Sequence, residues 1–392
     1  MSSVIFGAGK IARGFVGHIL YLSGIPFTFV EKYEPLVEKI NERGQYTVNV
    51  MGNTGENCVV QNVHALSFGE KEAIVQAIAE ADVVFTAVGG KNLGEVVPFL
   101  TEGIARKAAL YPEKNLNVIT CENWKKPATI LQTGVRAALS DADRTYLNEH
   151  VGFAEAVIMR SGIEPGAEQL EKDPLWVNVS NFWQMPVDGD NLVPGLPEIR
   201  CVSPMVNFAG FLERKFYTYN AANGTVSFLG ALLGFTDLGE AAYDPRIEQV
   251  LEGVYDETSR ALAKKHGISL EEQLAFADTS RKKLHDRSII DTIERNARDP
   301  LRKLGKDDRL VGSANLVWDC GILPEHLCIS IAAAIYYVSP GDPSAEELVR
   351  MRTEEGIDAV LTKVCSLDPE GTIGKLVKEK IELLKEWGWI HG

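Results

Sequence analysis

Three side chains in the second half of the chain have types and spacing suited to proton transfer. Lys215 is followed at five and eight residues by Asn220 and Asn223, within ERKFYTYNAANGTVSF from Glu213 to Phe228. Intervals near whole helical turns would place the three on a common face. A lysine taken partly out of water loses its proton nearer neutral pH and can serve as general acid or base. Asparagine amides can donate to an oxygen on which negative charge develops. Such a set suits loss of a hydroxyl proton as hydride leaves the same carbon, or the reverse. Asn123, in Cys121-Glu122-Asn123, is a further candidate because it follows an apolar strand-like run.

Hydride chemistry needs a carrier, and the first residues read as a site for one. Val4-Ile5-Phe6 is a short strand, followed by Gly7-Ala8-Gly9-Lys10-Ile11-Ala12, a G-x-G-x-x-A pattern. Gly7 suits a tight turn, Gly9 a close approach to pyrophosphate, and Ala12 close helix–strand packing. Residues 11–22 are expected to form the helix whose N-terminus, at Lys10 and Ile11, faces the phosphates. A second strand, 27–30, ends at Glu31, where a carboxylate takes the ribose hydroxyls of NAD and opposes the extra phosphate of NADP. Strands are also expected over 82–88 and 117–121. In a doubly wound sheet ligands lie beyond the carboxyl ends of strands, which brings Ala87, Val88 and Gly89 into the cofactor set and Asn123 within reach of a substrate.

A chain of 392 residues exceeds one ordinary core, so two domains are expected. Between 151 and 190 the pattern shifts, with 175–180 closer to period two, as for a strand with one exposed face. VDGDNLVPGLPEIR is the best linker. The boundary is placed there: a Rossmann-type α/β domain over 1–193 and a mostly α-helical domain over 194–392. Asp244-Pro245 opens one helix and Ser269-Leu270-Glu271-Glu272 another. More helices are expected at 325–337, 345–355 and 374–387.

The net charge of −14 argues against a nucleic-acid surface or a polybasic membrane patch. No apolar run reaches the roughly 18 residues of a transmembrane helix. The six cysteines form no C-x-x-C pair, and the N-terminus lacks a signal peptide's apolar region. A cytoplasmic protein without a metal site is expected, as a monomer or small homo-oligomer.

Several stretches resemble the polyol-specific long-chain dehydrogenases, the mannitol dehydrogenase family, and most of all its mannitol-1-phosphate 5-dehydrogenase branch. They are FGAGKIARGF, TAVGG, CEN before Trp124, EHVGF, LERKFYTYN, DPLRKLGKDDRL and ISIAAAIYY, in the family's order over nearly the full length. The resemblance implies a Rossmann domain followed by a helical domain, with the active site in the cleft between them. It also implies metal-independent hydride transfer between NAD and a polyol or its phosphate. The family's motif is Lys, four residues, Asn, two residues, His, with another Asn from the first domain. Lys215, Asn220 and Asn123 match it, and Asn223 stands at the histidine position.

Asparagine donates and accepts hydrogen bonds but carries no charge. That leaves slower chemistry, a changed substrate, or dinucleotide binding without turnover. Gly224 weakens the helix beside the site, and His285 is a candidate replacement for the histidine. An anionic substrate on an acidic protein needs a local cluster of cations. Arg298, Arg302, Lys303, Lys306 and Arg309 form one, with Arg302 and Lys303 favoured for a substrate phosphate. The expected reaction interconverts mannitol 1-phosphate and fructose 6-phosphate. A keto-uronate or an unphosphorylated ketose is the alternative substrate.

Overall fold

A computed structural model describes residues 2–287 and 291–390. The chain divides into two compact units, Met1–Phe208 and Ala209–Gly392.

The first unit contains β1 (Ser3–Phe6), β2 (Phe27–Glu31), β3 (Gln45–Val50), β4 (Cys58–Gln61), β5 (His64–Ser67) and β6 (Val83–Thr86). These are followed by β7 (Leu116–Thr120), β8 (Val151–Glu155), β9 (Gly162–Ile163), β10 (Val177–Val179), β11 (Met185–Asp188) and β12 (Val202–Met205). Six strands form one parallel sheet in the order β5-β2-β1-β6-β7-β8. The chain winds outward from β1 through β2 and β5, then returns and winds the other way from β6. The strand order therefore reverses between β1 and β6, where α/β sheets bind ligands.

Alternation along these strands divides the core. Val4, Phe6, Val30 and Val84 face one cluster with the helices at Lys71–Glu80, Leu93–Leu110 and Pro127–Ala138. Ile5, Phe29, Val83 and Phe85 face another with the helical stretch 12–22 and with Val48, Val177 and Val179 of a second sheet. Both faces are covered, which accounts for the continuous apolar runs of the sequence.

The second sheet has the order β4-β3-β10-β9. All three residues of β10 are buried, so the one exposed face expected here is absent. Its polar residue, Asn178, is instead buried and fully partnered. Asn178 Oδ1 accepts from Asn49 Nδ2 (3.0 Å) and Trp176 Nε1 (2.9 Å), and Nδ2 donates to Gln169 Oε1 (2.8 Å). A polar residue in a strand thus marks a buried network as readily as a wet face.

The first unit runs past 193 because the following segment returns to it. Asn117 Nδ2 donates to Val193 O (3.0 Å), and β12 pairs in parallel with β11. The linker composition marks a surface excursion within the unit, and the division falls between Phe208 and Ala209.

The second unit is helical. Pro245–His266 starts at Asp244, whose side chain accepts from Arg246 N (2.9 Å), and ends at Gly267, with φ +64°. Leu270–Leu284 starts at Ser269, which accepts from Glu272 N (3.1 Å). The remaining helices include Glu325–Ile335, Pro343–Glu354 and Thr372–Glu386, close to the expected ranges. Ala221–Leu232 is the central element, with Ala221, Ala222, Val226, Phe228 and Leu229 buried against Pro245–His266 and Glu325–Ile335.

Asn178→Ala is expected to lower unfolding free energy by about 1–3 kcal/mol, since it strands the partly buried donors of Trp176 and Asn49. Urea unfolding followed by tryptophan fluorescence and by CD measures it.

Candidate active site

The cofactor residues expected from sequence lie together at the carboxyl ends of β1, β2 and β6. Gly7 has φ +92°, a conformation open to glycine. Its N–H donates to Val30 O (2.7 Å), and Ala87 N donates to Phe6 O (2.8 Å), so the sheet's ladder runs into both loops. A Cβ on Gly7 would fall 2.6 Å from Ala87 O. A Cβ on Gly9 would meet nothing within 4 Å, so the outer side of this loop is open to a ligand. Glu31 Oε2 accepts from Ala8 N (2.7 Å), while Oε1 accepts from Lys32 N (2.8 Å) and Tyr33 N (2.9 Å). A carboxylate has about four acceptor positions, so capacity remains for a ribose hydroxyl. An open glycine loop at a helix start, with an acid at the end of the next strand, fits a dinucleotide.

The helix after this loop opens with π winding over Ala12–Gly17 before His18–Leu22 becomes α. A Cβ on Gly14 would fall 2.5 Å from a Val179 methyl, so Gly14 as well as Ala12 sets the packing distance. Lys10 pairs with Glu164 at 2.5 Å, both exposed. Arg13 was not singled out in the sequence, yet it braces the loop from beneath, with Nε donating to Ala8 O (2.8 Å).

Glu122 was also missed, although it stands in the CEN stretch. It is buried, accepting from Thr86 Oγ1 (2.7 Å) and Val88 N (2.9 Å). Its carboxylate ties the loop after β6 to the loop after β7, and burial raises its pKa. Next to it Asn123 is exposed, and its amide has no hydrogen-bond partner among the described residues.

In the second unit, Lys215 ends the helix Phe208–Lys215, and a π turn, Phe216–Asn220, leads into Ala221–Leu232. The turn corrects the spacing argument. In a regular α-helix five residues overshoot one turn by about 140°. One extra residue accommodated in the π turn makes the intervals of five and eight act as four and seven, which do share a face. The helix 270–284 packs against this turn: Gln273 Nε2 donates to Thr218 Oγ1 (3.0 Å), and Phe276 meets Tyr219 edge-on at 5.2 Å.

Lys215 is partly buried, and its ammonium has no hydrogen-bond or ion-pair partner among the described residues. Burial, followed by repulsion from Lys283 and Arg309, brings its pKa down to about 8. The Asn220 amide is likewise without a partner among the described residues. Asn223 differs: its Nδ2 donates to Asn296 Oδ1 (3.0 Å). Gly224 is a packing position, where an added Cβ would lie 3.2 Å from Arg309 Cδ.

The basic cluster divides. Arg302 is half exposed and committed to two acids, Nε to Asp299 (2.7 Å) and Nη1 to Asp308 (3.1 Å). Lys303 is buried, and its Nζ donates to the carbonyl oxygens of Asn296 (2.5 Å) and Arg298. His285 stacks on Tyr243 at 4.3 Å, with Nε2 beside Ala242 O (3.1 Å) and Glu248 Oε2 (3.5 Å). Among the described residues no group of three or more His, Cys, Asp or Glu is arranged to hold a metal ion.

Gly7→Ala is expected to weaken NADH binding about tenfold or more and to lower the melting temperature, because φ and Ala87 O both oppose a side chain. Gly9→Val should weaken NADH binding while leaving the melting temperature unchanged. Fluorescence titration and thermal melts measure both, and unaltered affinity in Gly9→Val would place the nucleotide elsewhere.

Family models extend this picture. The mannitol dehydrogenase Rossmann domain matches residues 1–201, and the mannitol dehydrogenase C-terminal domain matches 207–381. Among solved structures, a substrate-free D-sorbitol dehydrogenase is similar with a TM-score of 0.81 at 15% identity, covering 99% of this chain and 93% of that one. Pseudomonas fluorescens mannitol 2-dehydrogenase, in a ternary complex with NAD and D-mannitol, has a TM-score of 0.68 at 16% identity, covering 99% and 92%. At these identities the structures carry the fold, while the family models carry membership: the chain belongs to the mannitol dehydrogenase family and is a polyol dehydrogenase.

Proposed function

We propose that this protein is an NAD-dependent dehydrogenase of an acyclic polyol phosphate, interconverting mannitol 1-phosphate and fructose 6-phosphate, with Lys215 as acid and base. The observation that carries this reading is a partly buried ammonium with no partner among the described residues, next to an unpartnered amide on a helix face shaped by a π turn. Bound NAD supplies the acceptor or donor of hydride.

In the oxidative direction the neutral Lys215 amine accepts the hydroxyl proton, and in the reductive direction its ammonium returns that proton to the forming alkoxide. The Asn220 amide donates to the same oxygen, stabilising charge as it develops. Asn123, exposed on the loop after β7 with its amide unpartnered among the described residues, is proposed as a further polar group of the site. Asn223, bonded to Asn296, holds the helix face and takes no proton. Glu31 supports NAD over NADP, because its carboxylate repels a ribose phosphate.

The phosphate rests on two supports. The stretches LERKFYTYN and DPLRKLGKDDRL resemble the mannitol-1-phosphate branch, and the charged groups that shift Lys215 are the cations Lys283 and Arg309. A second reading comes from the structural neighbours, which are named for unphosphorylated polyols. Free fructose is therefore the competing substrate in any assay.

Lys215→Met is expected to lower kcat by about 10²–10⁴-fold, the usual scale for a positioned acid or base, while NADH affinity stays nearly unchanged. Retention of turnover would show that another group moves the proton. The sign of the pH dependence follows from the role. Oxidation needs the neutral amine, so its kcat should rise as pH climbs through about 8. Reduction needs the ammonium and should fall over the same window. Initial rates with mannitol 1-phosphate and NAD, and with fructose 6-phosphate and NADH, test both arms.

A further inference from the structure

Arg309 stands apart from the other cations of its cluster. Its side chain is only 13% exposed and follows the surface that carries Lys215. Cδ lies 3.2 Å from where a Gly224 Cβ would be, and the guanidinium carbon is 5.8 Å from the ring of Phe216, the residue after Lys215. One nitrogen is fixed: Nε donates to Asp308 Oδ1 (2.9 Å), which also accepts from the Arg309 backbone N–H (2.7 Å). The terminal nitrogens Nη1 and Nη2 have no partner among the described residues.

These nitrogens are not among the described buried atoms closed off from solvent without a partner, so they are open to a ligand. Arg309 has no carboxylate to itself, whereas Arg302 also pairs with Asp299. Asp308 is shared, with Oδ1 on Arg309 and Oδ2 on Arg302, so one carboxylate serves two guanidinium groups. Lys303 offers no alternative, since it is 3% exposed and bonded to carbonyl oxygens. A planar pair of Nη groups, held in place through Nε, matches the oxygens of a phosphomonoester in the bidentate manner that a lysine cannot reproduce.

We propose that Arg309 is the residue that selects a phosphorylated substrate, receiving the terminal phosphomonoester of an acyclic polyol or ketose phosphate on Nη1 and Nη2. This rests on the reading of Lys215 as the acid and base for the same substrate. In that substrate the reacting carbon and the phosphate lie toward opposite ends of the chain, so two separate groups on one surface are required. Gly224 is then a specificity position too, because it leaves the room that Arg309 occupies.

The test compares kcat/KM for fructose 6-phosphate with that for free fructose, using NADH, in the wild type, Arg309→Met and Arg309→Lys. The ratio of the two values is expected to fall about 10²-fold in Arg309→Met, the scale for removing one member of a desolvated charge pair. Arg309→Lys should recover part of it, and it supplies the reading if the methionine variant fails to fold. An equal fall for both ketoses would mean a structural role and overturns the proposal. A wild type that prefers the keto-uronate fructuronate to fructose 6-phosphate overturns the phosphomonoester assignment while leaving Lys215 in its role. Turnover surviving in Lys215→Met would instead overturn the catalytic reading on which this inference rests.

Discussion

For an amine to exchange a proton near neutral pH it must be kept from water without being given a carboxylate. Lys215 meets this condition: burial and two neighbouring cations all act in the same direction on its pKa, where an adjacent acid would reverse them. A lowered pKa does not by itself mark a catalytic group. Burial also lowers Lys107 to about 8 and Lys303 to about 7. Yet Lys107 donates to the carbonyl oxygens of Ala79 (3.1 Å) and Ala81 (2.7 Å), and Lys303 donates to those of Asn296 and Arg298. Those two amines tie off backbone carbonyls. Lys215 has no such task, and that difference carries the functional reading.

The nucleotide half is governed by a different constraint, the close approach of loops at the reversal of strand order. Gly7 and Ala87 are so near that no side chain fits on Gly7, and Glu122 bonds across from the loop after β7 to Thr86 and Val88. Trp124 adds to this, lying so close to Gly90 that a Cβ there would fall 2.1 Å from its ring. The ends of β6 and β7 therefore behave as one body. Asn123 is carried on a loop whose position is fixed relative to Ala87, Val88 and Gly89, even though its own amide is exposed.

Much of this was legible in the residues because the physics is local. Gly7, Glu31 and the apolar runs of β1, β6 and β7 act through turn geometry and alternation, and the caps at Asp244 and Ser269 declare themselves within four residues. What stayed hidden depends on three-dimensional packing. A π turn has no composition signal in FYTYN, so the true reason that Lys215 and Asn220 share a face could not be read from spacing. Gly224 reads as a helix defect until Arg309 and Leu310 are seen packed within 3.2 Å of where its Cβ would be. Asn178 reads as a surface residue until its three partners, distant in sequence or side by side with it, surround it. Arg302 and Lys303 look like the best phosphate ligands because charge is visible in sequence, whereas the partners already occupying that charge are not.

Asn223, at the position where the family motif has histidine, is the departure that most needs a physical account. The surface around Lys215 already holds Lys283 and Arg309. An imidazole here would add a further group able to charge, against repulsion from cations that have little solvent to screen them. Asparagine keeps a directional hydrogen bond and adds no charge. It bonds to the side chain of Asn296, whose carbonyl oxygen in turn holds Lys303, so position 223 becomes part of the wall. A permanent cation is already close by in Arg309, whose Cδ lies 3.2 Å from where a Gly224 Cβ would be.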